Sequence, residues 1–206
     1  METKKISIIF FAVMLFMACG QSNKKEGEAS SEGNVETTAK SKVDTNGIRL
    51  EQHGDYTNLY ASSSQCKLTA EEVATLYGIT VADMKETSNG PSGQGYLCSY
   101  NLTLRDGNQS VFGLTFFQKP MSDVQSEISS WLSGSYEKKF LRISNSGDHY
   151  IWKHPNQGYF ILQNPNYANG IQIRYRTMFK VDKTQSEYLE QKGIQTIDYL
   201  IEKYKN

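Results

Sequence analysis

The sequence predicts an α+β fold built on a single antiparallel sheet of about five to seven strands, with helices packed on one face. Three observations predict it. Several stretches alternate apolar and polar residues, which is typical of strands with one buried face. Other stretches space their apolar residues as amphipathic helices do. Short turns rich in Gly, Asn and Asp separate the strands, and such local connections favour antiparallel pairing.

The composition agrees with one folded domain and appended segments. The chain has 206 residues, of which 38% are hydrophobic and 12% aromatic, enough to supply a core. Lys and Arg together number 22, as do Asp and Glu, so the formal net charge is zero. A neutral chain lacks the electropositive surface with which proteins bind nucleic acid, and we expect no nucleic-acid partner.

Residues 1–18 are predicted to be an export signal. Lys4 and Lys5 precede an apolar run from Ile6 to Met17 that only Ser7 interrupts. Such a run is too short for a bilayer core, which takes about 20 apolar residues, but it suits a secretory signal peptide.

The end of this run, Ala18-Cys19-Gly20, resembles the lipobox of bacterial lipoproteins, although Phe16 and Met17 stand where Leu and a small residue are commoner. The resemblance implies that the signal is cut before Cys19, which then carries acyl chains such as palmitate on its sulfur and its amino group. Several acyl chains anchor a protein stably in a lipid bilayer. We therefore expect an exported chain anchored to a bacterial membrane, at the outer membrane or cell surface. The alternatives are a secreted protein cut near Ala18 and an uncleaved anchor.

Residues 19–46 are predicted to be a disordered tether, and residues 47–206 a single globular domain. The tether is rich in Lys, Glu, Ser, Thr and Gly, and its only large aliphatic residues are Val35 and Val43. Such a segment cannot bury enough apolar surface to offset its conformational entropy.

The domain opens with a short predicted helix whose two ends are visible in the sequence. Thr69 and Glu72 have the spacing of a capping box, and Leu68 and Val73 that of a hydrophobic staple. Gly78 suits the left-handed residue that ends a helix.

If Cys19 is lipidated, Cys66 and Cys98 are the two cysteines left to pair, and both lie in the domain. Export places them outside the reducing cytosol, where an even pair predicts a disulfide. Metal binding and a redox pair are the alternatives. The absence of a nearby His and of a C-x-x-C spacing makes both weaker.

The stretch from Cys66 to Tyr100 resembles small exported lipoprotein domains of unknown function and extracellular sensor domains of bacterial receptor kinases. The pattern Cys-x-Leu-Thr-x-x-Glu-Val-Ala-x-Leu-x-Gly, followed by a Gly-rich loop and Cys-x-Tyr, carries this resemblance. It implies an α+β domain with a disulfide from the first helix to the sheet, and it implies no catalytic residue.

The next elements follow from periodicity and turn residues. Residues 79–86 fit either an extended segment or a second short helix, and residues 88–95 are predicted to be a flexible connector. The turn Asp106-Gly107-Asn108 joins two strands into a hairpin. Ser122 and Gln125 then predict a second capping box, at the start of an amphipathic helix.

The second half of the domain is predicted to return to strands and to end in a helix. Alternation and turns predict four strands, at residues 140–143, 150–153, 159–163 and 171–176. The last helix covers residues 184–204, and Gly193 is expected to split or bend it, because Gly is unfavourable inside a helix.

No pattern identifies an active site. The histidines are His53, His149 and His154, and the spacing of the last two places them on opposite faces of a regular strand. We therefore expect no metal site and no cofactor, and no known catalytic signature occurs in its required context. Residues 150–175 mix aromatic and amide side chains, which suit sugar rings or peptides, but core and turn roles account for the same residues.

Two functions follow from these observations. The first is a non-enzymatic, membrane-tethered domain that binds an envelope protein, peptide or glycan. The second is an envelope hydrolase with an unpatterned active site. A pocket that brings His149 or His154 to a carboxylate and a hydroxyl would favour the hydrolase, whereas a polar sheet face or an exposed aromatic patch would favour binding.

Overall fold

The structure, a computed structural model, describes residues 48–51, 53–93, 95–177 and 182–206. The predicted signal, the tether and Cys19 lie outside these residues. The strands are β1 (Met84–Ser92), β2 (Gly95–Thr103), β3 (Gln109–Phe117), β4 (Leu141–Ile143), β5 (Tyr150–Lys153), β6 (Tyr159–Gln163) and β7 (Gly170–Arg174). The α-helices of the described part are α1 (Thr57–Tyr60), α2 (Ala70–Tyr77), α3 (Met121–Ser133), α4 (Ser135–Lys138) and α5 (Lys183–Tyr204), and a single 3-10 turn there covers Val81–Asp83.

The strands form one antiparallel sheet of seven, in the order β1-β2-β3-β7-β6-β5-β4, which confirms the predicted fold class. Two meanders, β1 to β3 and β4 to β7, build this sheet. They join at its centre, where β3 pairs with β7 from Gly113 opposite Arg174 to Phe117 opposite Gly170.

The first face of the sheet carries the main core. Its strand side chains, among them Cys98, Leu114 and Ile173, are fully buried beneath α1, α2 and α5. These three helices therefore lie on one face, as predicted.

Helix α2 has the ends that the sequence predicts. The N–H of Glu72 donates to Oγ1 of Thr69 at 3.2 Å, and the N–H of Thr69 donates to Oε2 of Glu72 at 2.8 Å. Such a cap stabilises a helix by about 1 kcal/mol. Gly78 has a φ of 68°, a left-handed conformation that glycine adopts without a steric cost.

The predicted disulfide between Cys66 and Cys98 is present, with the two Cα atoms 5.7 Å apart. It ties the segment before α2 to β2 on the first face. In the chain-entropy account, closing a loop of this length stabilises the folded state by about 3–4 kcal/mol. A helix as short as α2 thereby keeps a fixed place on the sheet.

Helix α5 is continuous through Gly193, so the predicted split does not occur. A Cβ at residue 193 would lie 2.9 Å from Cε2 of Phe160 and 3.0 Å from Cβ of Tyr175. The glycine thus lets α5 approach the sheet closely, and this packing offsets its cost of about 1 kcal/mol within a helix.

Helix α3 adds a layer on the second face of the sheet, which the sequence-based prediction did not include. Its apolar stripe of Val124, Ile128, Trp131 and Leu132 packs with residues of β4, β5 and β6. Trp131 stacks on Trp152 with ring centroids 5.9 Å apart and planes 5° from parallel. The physical reason lies in β5, where Ile151 enters the main core while Tyr150 and Trp152 point the other way. These strands are apolar on both faces and need cover on both.

Two local predictions are wrong. Residues 88–92 belong to β1 rather than to a flexible connector, because β1 pairs with β2 as far as Ser92 opposite Gly95. Pro91 is tolerated there because β1 is an edge strand, where one N–H can remain outside the ladder. Ser122 does not cap α3; Pro120 occupies the N-cap position without a side-chain hydrogen bond.

Candidate functional site

The second face has an open half, formed by β1, β2, β3 and β7. There the sheet surface holds a concavity of about 410 Å³. Strand residues and Thr177 line it, so it is bounded from below and open to solvent above. The residues whose side chains share this face are Thr87, Leu97, Ser99, Val111, Thr115, Gln172 and Arg174.

Gly113 forms the floor of the concavity. It lies at the centre of β3, opposite Ser99 on β2 and Arg174 on β7. A Cβ there would be 3.4 Å from Cβ of Arg174 and 3.8 Å from Cβ of Ser99, so an alanine fits. The glycines with positive φ do not include Gly113, so its backbone does not require glycine. Glycine weakens a strand interior, and here it leaves space between its neighbours.

Three half-buried polar side chains surround this space, and we call Thr115, Gln172 and Arg174 the polar trio. Thr115 and Gln172 are register partners across the β3–β7 seam. No member of the trio makes a side-chain hydrogen bond or ion pair with a described residue. By contrast, Thr87 and Ser99 across the concavity bond to each other, with their hydroxyl oxygens 2.8 Å apart.

Arg174 gives the concavity its charge. Among the described lining residues it is the one that carries a formal charge. Its register partner on β6 is Tyr159. Burial raises the pKa of the Tyr159 phenol, and the positive charge of Arg174 acts in the opposite direction. The guanidinium is therefore close enough to Tyr159 to influence the ionisation of its phenol, at this edge of the open half.

The remaining walls are apolar. Leu97 and Val111 are half-buried and flank the floor. Tyr100 and Phe112 also contribute to the lining, but their side chains are 6% and 0% exposed and belong to the main core. The described lining thus combines one cation, hydrogen-bonding groups and a small apolar surface. Among these described residues, no nucleophile is paired with a base.

A second polar cluster lies in the turn between β4 and β5. The Nδ1 of His149 is 2.8 Å from Oδ1 of Asp148, and the Ser146 hydroxyl donates to the same oxygen at 2.5 Å. The Asn164 amide donates to the backbone oxygen of Asp148 at 2.6 Å. The Tyr56 ring meets the His149 ring edge-on, with centroids 4.4 Å apart. The cluster joins the residues around α1 to the sheet.

This cluster does not have the geometry of a hydrolase. His149 and Asp148 are 0% and 1% exposed, so a substrate cannot reach them. Nε2 of His149, the atom that would take a proton from a nucleophile, has no hydrogen-bond partner in the described part of the chain. Burial lowers the pKa of His149, although the Asp148 carboxylate acts in the opposite direction. The residues named for the hydrolase alternative meet, but they meet inside the core.

Other candidates from the sequence, His154 and several aromatic residues of 150–175, take part in a local turn or in the core. His154 Nδ1 accepts hydrogen bonds from the N–H groups of Asn156 and Gln157, at 3.1 and 3.0 Å. The rings of Tyr150, Phe160 and Tyr175 are buried, which confirms their interpretation as core residues.

Two wider features of the described residues complete this survey. No group of three or more potential metal-ligating side chains lies together among them. None of their helices is long and apolar enough to cross a membrane.

No protein-family model, curated protein or solved structure matches this chain. Any functional interpretation must therefore come from the fold and surface of the chain itself.

Sequence reasoning missed the open concavity. The signal that pointed to it is Gly113, a glycine in the middle of the otherwise strand-forming run Gln109–Phe117.

Proposed function

We propose that this chain is a membrane-anchored lipoprotein of the bacterial envelope whose domain binds a partner and catalyses no reaction. The observation that carries the proposal is the polar trio around Gly113. Three half-buried polar side chains without partners among the described residues are grouped around a glycine floor, where they open to solvent and can bond a ligand. Polar groups that converge on a concave site are typical of binding.

The anchor rests on other residues. The lipobox-like Ala18-Cys19-Gly20 follows an apolar run with a basic start. The Cys66–Cys98 disulfide supports export, since such bonds persist outside the reducing cytosol. A lipid on Cys19 and the tether of residues 19–46 would hold the domain at the outer membrane or cell surface, where an envelope protein, peptide or glycan is its partner.

Site-specific photo-crosslinking in the producing cells tests the binding function. A benzoylphenylalanine replaces Asn101, an exposed residue on the same face as Ser99, and in a second chain it replaces Gln191, an exposed residue of α5. We expect a discrete crosslinked product from position 101 that is absent from position 191. Gly113→Val, which fills the floor, should abolish it.

The control is that each variant shows the unfolding transition of its parent. A product from position 101 that persists unchanged in Gly113→Val contradicts the proposal, as does the absence of any product specific to that position.

Metabolic labelling tests the anchor. We expect the wild-type chain to incorporate palmitate and to sediment with membranes, and Cys19→Ser to do neither. Palmitate incorporation in Cys19→Ser would show that the lipid is elsewhere or that the lipobox interpretation is wrong.

A further inference from the structure

The charge of the open concavity identifies the chemistry of its occupant. Arg174 is the one charged group among the described lining residues, and no carboxylate accompanies it. A half-buried guanidinium without a partner attracts an anion more strongly than an exposed one, because less water screens it. The complementary ligand therefore carries negative charge.

The shape of Arg174 and its neighbours selects among anions. A guanidinium is planar and donates in parallel to the two oxygens of a carboxylate. The hydroxyl of Thr115 and the amide of Gln172 lie one register row away and can donate to the same group. A single cation balances a single negative charge, whereas a phosphate group would call for further cations.

The rest of the lining favours a peptide over a glycan. Leu97 and Val111 offer small aliphatic surfaces beside the floor. The aromatic lining residues Tyr100 and Phe112 turn their rings into the core, so the described lining presents no ring on which a sugar can stack. The concavity is open above, so a segment of a longer chain can lie across it.

We infer that the concavity above Gly113 binds an acidic segment of a partner protein, with one carboxylate on Arg174 and an adjacent aliphatic side chain on Leu97 and Val111. This inference rests on the proposed binding function and names the chemistry of its ligand.

Nuclear magnetic resonance with matched probes tests the inference. The purified, 15N-labelled chain in detergent micelles is titrated with acetyl-Val-Glu-Val-amide, with acetyl-Val-Gln-Val-amide and with galacturonate. The amide signal of Gly113 is the reporter. We expect the Glu peptide to move this signal and to bind at least about tenfold more tightly than the Gln peptide, from the charge-assisted bonds to Arg174.

Three variants assign the effect. Arg174→Gln should remove the difference between the two peptides, and Gly113→Val should remove binding of both. Lys183→Gln, which removes an equal charge from a residue whose side chain is 90% exposed on α5, should change neither. Denaturant unfolding of each variant excludes misfolding as the cause.

The outcomes separate this inference from the function on which it rests. Equal binding of the two peptides, tighter binding of galacturonate, or no shift with any probe overturns the acidic-peptide ligand. The photo-crosslink from position 101 and its loss in Gly113→Val then still decide whether the open half binds a partner at all.

Discussion

The two halves of the second sheet face differ in what covers them. Over β4, β5 and β6, α3 supplies an apolar layer and stacks Trp131 on Trp152. Over β1, β2, β3 and β7 the surface instead carries polar and small aliphatic side chains, and a glycine stands at the centre. The comparison shows that one sheet face serves stability at one end and leaves a surface available at the other.

Removing the stacked ring from the covered half should have the largest effect on stability. Trp131 is 4% exposed, and Trp131→Ala leaves a cavity beside Trp152. We expect a loss of about 3–5 kcal/mol in the free energy of unfolding, measured by urea denaturation. A loss below about 1 kcal/mol would show that α3 contributes little to the sheet.

A methyl group at Gly193 tests the packing of the helix on the first face. The added Cβ would lie 2.9 Å from Phe160 and 3.0 Å from Tyr175, so α5 must move away from the sheet. We expect Gly193→Ala to destabilise the chain by about 1–3 kcal/mol, despite the better helix propensity of alanine. Stabilisation would mean that the close approach of α5 is not required.

Acidification should weaken the polar cluster that joins α1 to the turn between β4 and β5. Burial lowers the pKa of His149 from 6.5, so the unfolded chain takes up a proton at a higher pH than the folded chain does. The stability is therefore present above pH 6.5 and is lost as the pH falls below it. Burial acts to raise the pKa of Asp148, but the hydrogen bonds with Ser146 and His149 outweigh it, so this pKa is also lowered. Its contribution is lost only below pH 3.8.

Urea unfolding at pH 7.5 and 5.5, for the wild type and for His149→Asn, measures this loss. The wild type should lose stability between the two values, and the variant should lose less. His154→Asn is the matched control. Burial also lowers the pKa of His154, but its ring lies at a more accessible turn, so this variant should keep most of the wild-type loss of stability. The rings of Tyr56 and Tyr60 face His149 without titrating in this range, because burial raises the pKa of both. An equal pH dependence in wild type and His149→Asn would contradict the assignment.

A methyl group at Gly113 should have the smallest effect and the opposite sign. Its Cβ has room at 3.4 Å and 3.8 Å from its neighbours, and alanine restricts the unfolded chain more than glycine does. We expect Gly113→Ala to raise the free energy of unfolding by about 0.5–1 kcal/mol. A marked loss of stability would show that the glycine serves the fold rather than the surface.

Local signals accounted for much of the fold. The capping box and Gly78 placed α2 correctly, and the pairing of Cys66 with Cys98 followed from compartment and count. Edge strand β1 escaped prediction because its Gly90 and Pro91 also suit a loop, and only pairing with β2 makes them a strand. The layer formed by α3 escaped because periodicity shows that a helix has an apolar face without showing which surface it covers.

The concavity lay further beyond the sequence. Ser99 and Arg174 are ordinary strand residues, and each has an unremarkable neighbourhood in the chain. They meet because β7 pairs with β3 at the centre of the sheet and not with an edge strand. Which strand pairs with β7 depends on the packing of the whole sheet. Only Gly113 is unusual at its own position.

The β3–β7 seam has a consequence for how the chain acquires its surface. Each meander can assemble through hairpins between neighbouring strands, whereas the seam joins residues far apart in sequence and closes a long loop. Arg174 and Gly113 face each other across this seam. A half-folded chain therefore lacks the open concavity, which forms in the same step that completes the sheet.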